Sequence, residues 1–362
     1  MTQAVALAQQ ASTGVSQGFK NRIINGGMTI DQRNAGASVT PTNGQFSVDR
    51  WAAELSQSSK FSFQQNAGAV TPPVGFTDYL GVTSLSAYTV GSGEVFNIYQ
   101  RIEGFNVADL GWGTANAKTV TLSFWVRSSL TGTFGGAIQN SANNRSYPFS
   151  YTINAANTFE YKTVTVAGDT SGTWLTTNGN GMAVRFSLGA GATYSGTAGA
   201  WAGADYRSAT GATSVVGTNG ATFYITGVQL EVGSTATSFD YRPFGTELAL
   251  AQRYYQQIGG NSFVGNPLYP IIGNGFAFST NQADIYVPLR VTMRSTPTIT
   301  SSGTAIQVIA TAYTVTSLGD VGSTFNTVFL RISTAGTFTA GNGALWAGNN
   351  SATSYGAFSS EL

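Results

Sequence analysis

FYITGVQLEV, residues 223–232, is the stretch of sequence that decides the fold. Its apolar residues alternate with small or polar ones, which is the two-residue period of a β-strand with one buried face. The phase of the alternation changes midway, from Phe223 and Ile225 to Val228, Leu230 and Val232. A change of phase requires one extra residue, and Gly227 stands at that point. The sequence therefore predicts a long strand with a β-bulge at Gly227.

The same two-residue period recurs along most of the chain beyond residue 45, between clusters of turn-forming residues such as TPPVG and TTNGNG. No helical segments of crossover length separate these strands, so they are expected to pair antiparallel. We predict an all-β protein, a jelly-roll β-sandwich followed by a smaller β domain. The clearest alternating sets are Val120, Leu122, Phe124 and Val126; Phe149, Tyr151 and Ile153; Met182, Val184, Phe186 and Leu188; and Ile285, Val287, Leu289, Val291 and Met293.

Composition excludes several classes of function. Only 9% of the 362 residues are charged and the formal net charge is +1, so a partner with a phosphate backbone is not expected. Histidine and cysteine are absent, which removes the usual metal ligand, the usual general base and any disulfide framework. No signal peptide and no membrane-spanning apolar stretch is indicated. A neutral surface rich in Ser, Thr, Asn, Gly and Tyr suits saccharides and other protein surfaces.

Four regions follow from the pattern. Residues 1–21 form a helical or extended N-terminal arm, with a weak apolar stripe, and residues 22–240 form the jelly roll. Residues 241–257 form a linking helix, for which Thr246 is a plausible N-cap. Residues 258–362 form the C-terminal β domain, in which Pro288 places its strand at a sheet edge.

Several segments together resemble a family of phage tail-fibre and virion structural proteins that carry a carbohydrate-binding-module-like jelly roll. Met28 and Ile30 or Asp31 stand where that family usually has aromatic residues in its opening motif. The resemblance touches both ends and the middle of the chain. The segments that carry it are NRIINGGMTIDQRN (21–34), FSVDRW (46–51), VTLSFWVRSS (120–129), VQLEVGSTATSFDYRPFGTELALAQRYYQQ (228–257), MRSTPTIT (293–300) and the final Ser360-Glu361-Leu362.

The resemblance implies a structural fibre or spike of a bacteriophage virion, assembled in the host cytoplasm and released by lysis, that adheres to host surface glycan. It further implies a homotrimer attached to other virion proteins through the N-terminal arm. Two alternatives remain: a capsid fibre or decoration protein with no host ligand, and a surface-polysaccharide depolymerase. Jelly rolls of this type often hold structural Ca²⁺, for which Asn25 and Glu231 are the positions to inspect. We expect no cofactor, no metal, no nucleic acid and no membrane insertion.

Four aromatic residues are candidates for ligand contact. Trp125 falls on the polar phase of its strand, so its indole either lies on an outer sheet face or is covered core. Tyr194, Trp201 and Tyr206 lie in the Gly-rich stretch 189–221, where they either contact a ligand or fix the loop, to the body or to a neighbouring subunit.

No catalytic residue is predicted, because the acidic residues show no paired spacing. Asp49-Arg50-Trp51 could suggest a site, but adjacent strand residues point to opposite faces. We therefore expect Trp51 in the core, and Asp49 and Arg50 in fixed hydrogen bonds at the start of a strand.

Overall fold

The structure is a computed structural model that describes residues 20–260, 270–349 and 353–362. The described residues are all β apart from one α-helix and short 3₁₀ turns, as the periodicity predicted. Nearly all of the predicted arm, residues 1–19, lies outside the described residues. No helix in the described ranges is long and apolar enough to cross a membrane.

Twelve strands lie between residues 52 and 232. Ten of them form two five-stranded antiparallel sheets, ordered β1-β4-β9-β6-β7 and β2-β3-β12-β5-β8, which face each other across a single core. The remaining two, β10 and β11, form a short parallel pair within the Gly-rich stretch. In chain order the strands are β1 (Ala52–Leu55), β2 (Phe61–Gln65), β3 (Leu80–Ser84), β4 (Val95–Glu103), β5 (Val120–Ser128), β6 (Gly132–Gln139), β7 (Ser146–Ile153), β8 (Glu160–Val166), β9 (Asn180–Ala190), β10 (Ser195–Gly196), β11 (Ser208–Ala209) and β12 (Thr222–Val232).

The bulge predicted in β12 is present. Thr226 pairs with Trp125 on β5 but Gln229 pairs with Ser123, so the register shifts across Gly227, whose φ is +61°. The shift returns apolar side chains to the core, where Phe223, Ile225, Val228 and Leu230 are fully buried. Val232, expected on the same face, is 42% exposed at the strand end.

The helix α1 (Phe244–Gln252) follows the sandwich. Its N-cap is Pro243 and not Thr246, because Thr246 already lies inside the first turn and its N–H donates to the Pro243 carbonyl at 2.9 Å. Ala251 and Tyr254 pack with Ile24 and Ile30 in a small apolar cluster. The helix region is therefore fixed to the segment that precedes the sandwich.

The remaining strands form a closed six-stranded barrel, ordered β14-β15-β19-β18-β17-β20, and a three-stranded sheet ordered β13-β21-β16. Pro288 was expected at a sheet edge, but β15 pairs with both β14 and β19. A closed barrel has no edge, and Pro288 is tolerated because it is the last residue of its strand. The strands are β13 (Tyr255–Gly259), β14 (Ile271–Ala277), β15 (Gln282–Pro288), β16 (Thr298–Ser302), β17 (Thr304–Val308), β18 (Thr311–Asp320), β19 (Thr327–Thr334), β20 (Gly343–Gly348) and β21 (Tyr355–Ser359).

A buried charge network joins the end of the chain to the sandwich. Arg33 donates to Glu361 at 2.8 Å and to Asp49 at 3.2 Å, and Arg50 also pairs with Glu361. The Arg50 guanidinium lies 3.6 Å from the centre of the Tyr254 ring. Asp49 and Arg50 are nearly inaccessible to solvent.

Trp51, the third residue of the Asp-Arg-Trp element, is fully buried and its indole N–H donates to the Asn25 carbonyl at 3.1 Å. β1 begins at the next residue, Ala52. The predicted arrangement is therefore confirmed: the tryptophan is core and its two charged neighbours are held in fixed hydrogen bonds.

We expect Gly227→Ala to destabilise the protein by roughly 1–3 kcal/mol. An added Cβ would lie 2.6 Å from Cζ of Phe76, and the positive φ disfavours any side chain. Gly220→Ala is the matched control, because Gly220 has φ +75° with no atom within 4 Å of an added Cβ. Urea unfolding should therefore show a larger loss for Gly227→Ala; equal losses would mean that close packing over Gly227 contributes nothing.

We expect Asp49→Asn to change how stability depends on pH. Burial raises the pKa of Asp49 to about 6, and this effect outweighs the opposite effect of the nearby Arg33 guanidinium, which lowers the pKa. An unfolded aspartate titrates near about 3.9, so the stabilising contribution of the raised pKa is complete below about pH 4 and is lost as pH rises through about 6.

The asparagine variant cannot take up this proton. The free energy of unfolding of the wild type minus that of the variant should therefore decrease from pH 4 to pH 7, measured by urea unfolding. Asp109→Asn, at a carboxylate whose side chain is 47% exposed, is the control. A difference that stays constant or increases with pH contradicts the burial argument.

Candidate ligand-binding groove

An open groove crosses the outer face of the sheet β2-β3-β12-β5-β8. Its floor carries Trp125 on β5 beside Tyr161 on β8, which are cross-strand partners with ring centroids 5.3 Å apart. Trp125 is partly exposed and Tyr161 is 43% exposed. The sequence allowed Trp125 to lie either on an outer sheet face or in the core, and in the structure its indole lies on the outer face.

Three further aromatic rings form the wall of the groove. Phe76 lies 5.0 Å from Phe239 and 5.6 Å from Tyr241, and Phe239 lies 4.9 Å from Tyr241. Phe76 comes from the connection between β2 and β3, whereas Phe239 and Tyr241 follow β12. Each ring buries part of its neighbour, so the three hold one another in place although Tyr241 remains 59% exposed. We call the surface formed by these three rings, Trp125 and Tyr161 the aromatic groove.

Two glycines allow the rings to approach the backbone. A Cβ at Gly227 would meet Cδ1 of Trp125 at 3.1 Å as well as the Phe76 ring. A Cβ at Gly75 would lie 2.4 Å from the Tyr241 hydroxyl, and Gly75 has φ +93°. The bulge at Gly227 thus has two effects. It returns the apolar side chains of β12 to the core, and it leaves room on the outer face for the rings of Phe76 and Trp125.

The rim of the groove is polar. Ser123, Thr237 and Ser238 are the hydroxyl-bearing residues that line the groove besides its tyrosines, and the volume of the groove is about 510 Å³. Thr237 is positioned by Glu231, which accepts hydrogen bonds from the Thr237 amide at 2.9 Å and from its hydroxyl at 2.6 Å. Lys20 also donates to the Thr237 hydroxyl, at 2.5 Å. The rim therefore has a fixed geometry.

Adjacent exposed aromatic rings with nearby hydroxyl groups can bind a sugar. The apolar face of a pyranose can lie against an indole or phenol ring, while its hydroxyl groups hydrogen-bond to serine, threonine or tyrosine side chains. A mostly apolar cleft of several hundred Å³ with a few convergent polar groups is the usual form of a small-ligand site. Because the groove is open, it can accommodate a segment of a longer saccharide.

The other predicted ligand residues lie elsewhere. Trp201 packs edge-on against Trp112 at 5.3 Å and Trp174 at 5.5 Å, and its indole N–H donates to the Ala167 carbonyl at 2.7 Å. It also meets Tyr147 on β7 at 5.2 Å. In this arrangement Trp201 fixes the Gly-rich stretch to the sandwich, the second of the two roles that the sequence allowed.

Tyr194 and Tyr206 are partly exposed and also make contacts within the chain. The Arg207 guanidinium lies 4.4 Å from the centre of the Tyr194 ring. The Tyr206 ring packs on Gly196, where an added Cβ would come within 2.2 Å of it. The Gly-rich stretch contacts the sheet that contains β7, so the structure does not bring these residues together with Trp125.

Sequence reasoning missed four of the five aromatic residues of the groove, namely Phe76, Tyr161, Phe239 and Tyr241. One signal was available: in EYKTVTV, residues 160–166, Tyr161 shares its two-residue phase with Thr163 and Thr165. Phe76, Phe239 and Tyr241 lie in connections between secondary-structure elements, where no periodic pattern indicates which way a side chain points.

Asn25 and Glu231, the positions considered for Ca²⁺, are occupied by hydrogen bonds within the chain. The Asn25 side chain bonds the Ile30 amide and carbonyl and the Asp49 carbonyl. Glu231 is 3% exposed, not solvent-facing, and accepts from Gln229 and Thr237. Within the described ranges no group of three or more acidic side chains is arranged to hold a metal ion.

The chain is similar in fold to several solved structures. One is the enzymatically active domain of tailspike protein 4 of bacteriophage CBA120, with 13% identity and a TM-score of 0.32, covering 59% of this chain and 22% of that one. The chain thus spans about a fifth of the length of that structure. No protein-family model matches the sequence, and no curated protein matches it at a significant level.

Two carbohydrate-related structures are also similar. One is a putative sugar binding protein from Bacteroides thetaiotaomicron, with 11% identity, a TM-score of 0.34, and coverage of 59% of this chain and 100% of that one. The other is the family 11 carbohydrate-binding module from Clostridium thermocellum in complex with a mixed-linked tetrasaccharide, with 12% identity, a TM-score of 0.28, and coverage of 54% and 96%. These similarities are distant, and no functional conclusion rests on them.

Proposed function

We propose that the protein is a structural and adhesive component of a bacteriophage virion that binds a neutral host-surface glycan in the aromatic groove. The observation that carries the proposal is the exposed pair Trp125 and Tyr161 beside a wall of three rings. Large aromatic surface left open on a sheet face costs free energy unless a partner covers it.

The chemistry of the groove favours a neutral glycan over a charged ligand. None of the described residues that line it is charged. The nearest cations make contacts within the chain: Lys162 pairs with Glu160 at 2.6 Å, and Lys20 donates to the Thr237 hydroxyl at 2.5 Å and to the Ser238 carbonyl at 2.6 Å. A charged ligand would lose hydration in a groove whose lining carries no charge, whereas a sugar hydroxyl can bond to the exposed Ser238 side chain.

The state of the acidic residues supports a structural role over glycan cleavage. Hydrolysis of a glycosidic bond requires two carboxyl groups, on either side of the bond, that are free to exchange protons. Four of the acids are paired with arginines within the chain: Glu54 with Arg185 and Arg207, Glu103 with Arg253, Asp169 with Arg145, and Asp205 with Arg207. Asp49 is fully buried. The depolymerase alternative is tested by incubating the protein with host polysaccharide.

The virion role, the threefold assembly and the attachment through the N-terminal arm rest on the sequence resemblance. A particle carrying many copies could adhere firmly through weak individual grooves, because linked sites raise the effective concentration of one another. The purely structural alternative, a capsid fibre or decoration protein without a ligand, has no use for an exposed aromatic groove.

We expect the double substitution Trp125→Ala and Tyr161→Ala to weaken glycan binding about tenfold or more, because buried aromatic anchors dominate binding energy. Binding is measured on a glycan array and by calorimetry, and particle adsorption to host cells should fall in parallel. The matched control is Tyr286→Ala, a 46% exposed aromatic residue on the barrel. If the wild type binds no glycan, the alternative without a host ligand replaces this proposal. If binding and adsorption are unchanged by the double substitution, the glycan is bound outside the aromatic groove.

We expect Trp201→Ala to act differently, by lowering thermal stability. Removing its indole opens a gap against Trp112 and Trp174 and leaves the Ala167 carbonyl without its donor, which should cost roughly 2–4 kcal/mol. Differential scanning calorimetry measures the effect, with Trp125→Ala as the comparison. Unchanged stability with lost adsorption would instead place host contact on the Gly-rich stretch.

A further inference from the structure

A second open pocket lies at one end of the barrel, away from the groove. It has a volume of about 520 Å³ and is formed where three connections meet: the β14–β15 turn, the β17–β18 turn and the β19–β20 connection. The opposite ends of the barrel strands face the rest of the molecule. At that end the Met293 amide donates to the Phe325 carbonyl in the β18–β19 connection, and the adjacent Arg294 amide donates to the carbonyl of Arg253, which follows helix α1. The pocket therefore opens at the outer tip of the barrel.

The pocket combines one aromatic platform with a ring of available polar groups. Tyr313 packs against Phe338, with ring centroids 5.1 Å apart, and against Gly336, where an added Cβ would come within 2.5 Å of the tyrosine ring. Within the described part of the chain, no hydrogen bond engages the side chains of Thr280, Thr311, Thr337, Thr339 and Asn342. Their hydroxyl and carboxamide groups are free to bond to a ligand.

The β17–β18 turn at the rim is strained. Ile309 and Ala310 have φ +46° and φ +62°, a two-residue hairpin conformation that normally selects asparagine and glycine. A β-branched residue at positive φ is an outlier, and Ile309 is also 77% exposed. Neither folding nor solubility explains an exposed isoleucine there, whereas contact with a bound ligand would.

We propose that this pocket is a second saccharide-binding site, which takes a neutral mono- or disaccharide unit. The Tyr313 ring and Ile309 contact the apolar face of the sugar, and the threonine hydroxyls and the Asn342 carboxamide bond its hydroxyl groups. None of the described residues lining the pocket is charged, so sialic acids, uronic acids and phosphates gain no ion pair there. The inference extends the proposed glycan-binding function but shares no residue with the aromatic groove.

Two saccharide sites on one chain have a functional consequence. On a particle that carries the chain with the barrel tip outward, the tip site would contact a surface first, and the groove would then bind at a raised effective concentration. Weak affinity at each site is sufficient for adhesion, and it leaves the contact reversible until several chains have engaged.

The test uses the full chain and saturation-transfer difference NMR with methyl glycosides of glucose, galactose, mannose and N-acetylglucosamine and the β-linked disaccharides of these. The tip variant is Thr280→Val, Thr337→Val and Thr339→Val, which keeps side-chain shape and removes three hydroxyls. The control is Thr298→Val, Thr300→Val and Thr316→Val, at exposed barrel-domain threonines outside the pocket. Both should unfold at the wild-type temperature.

To separate this site from the groove, binding is measured in the Trp125→Ala, Tyr161→Ala background. We expect at least one neutral sugar to bind there and its affinity to fall about tenfold or more in the tip variant, the equivalent of three hydrogen bonds, but not in the control. Binding that is absent in this background, or equal in the tip variant and the control, overturns the tip site. Loss of groove binding by itself bears on the proposed function alone.

Discussion

Glu361, the second residue from the end of the chain, forms buried ion pairs with Arg33 and Arg50, and the rest of the structure depends on this contact. Charged groups inside a protein are tolerated only when paired and hydrogen-bonded, and removing one partner of such a pair typically costs about 3–5 kcal/mol. The network therefore fixes Glu361 relative to Arg33 and Arg50, which precede the first strand of the sandwich. Arg294 strengthens the same contact by donating to the carbonyls of Ser360 and Glu361.

Ion pairs within the chain also contribute to the neutral surface. Only 9% of the residues are charged, and many of them are paired within the molecule. Glu54, for example, accepts from Arg185 at 2.5 Å and Arg207 at 2.7 Å on the outer face of the other sheet. The 17 basic and 16 acidic residues nearly balance, so the molecule has a formal net charge of only +1 and no strong long-range field. A molecule of this kind recognises partners through rings and hydroxyl groups rather than through long-range attraction.

Both candidate sites follow the same physical design, although they lie on different sheets. In each, a glycine without a Cβ lets an aromatic ring lie directly on the backbone: Gly227 beneath Phe76 and Trp125, and Gly336 beneath Tyr313. The ring then presents a flat face beside short hydroxyl side chains. Such surfaces lose little side-chain entropy on binding, because Ser, Thr and Tyr have few rotatable bonds.

The sequence by itself determined the fold class and the core of the sandwich. Alternation at Val120–Val126 and the phase change at Gly227 were sufficient, because side chains of a strand alternate faces and only an extra residue can reverse the phase. It also determined that Trp51 is core. These features are local: each depends on spacing within about ten residues.

Only the tertiary structure decided which rings form a site. Phe76, Trp125, Tyr161 and Tyr241 are separated by tens of residues, and the order and register of β3, β12, β5 and β8 bring them together. The same holds for Pro288, whose strand has two neighbours because the barrel closes, and for Trp201, which meets Trp112 and Trp174 from another part of the chain. Periodicity specifies which face of a strand a side chain takes, but not which strand lies beside it, because pairing between distant segments is a property of the whole fold.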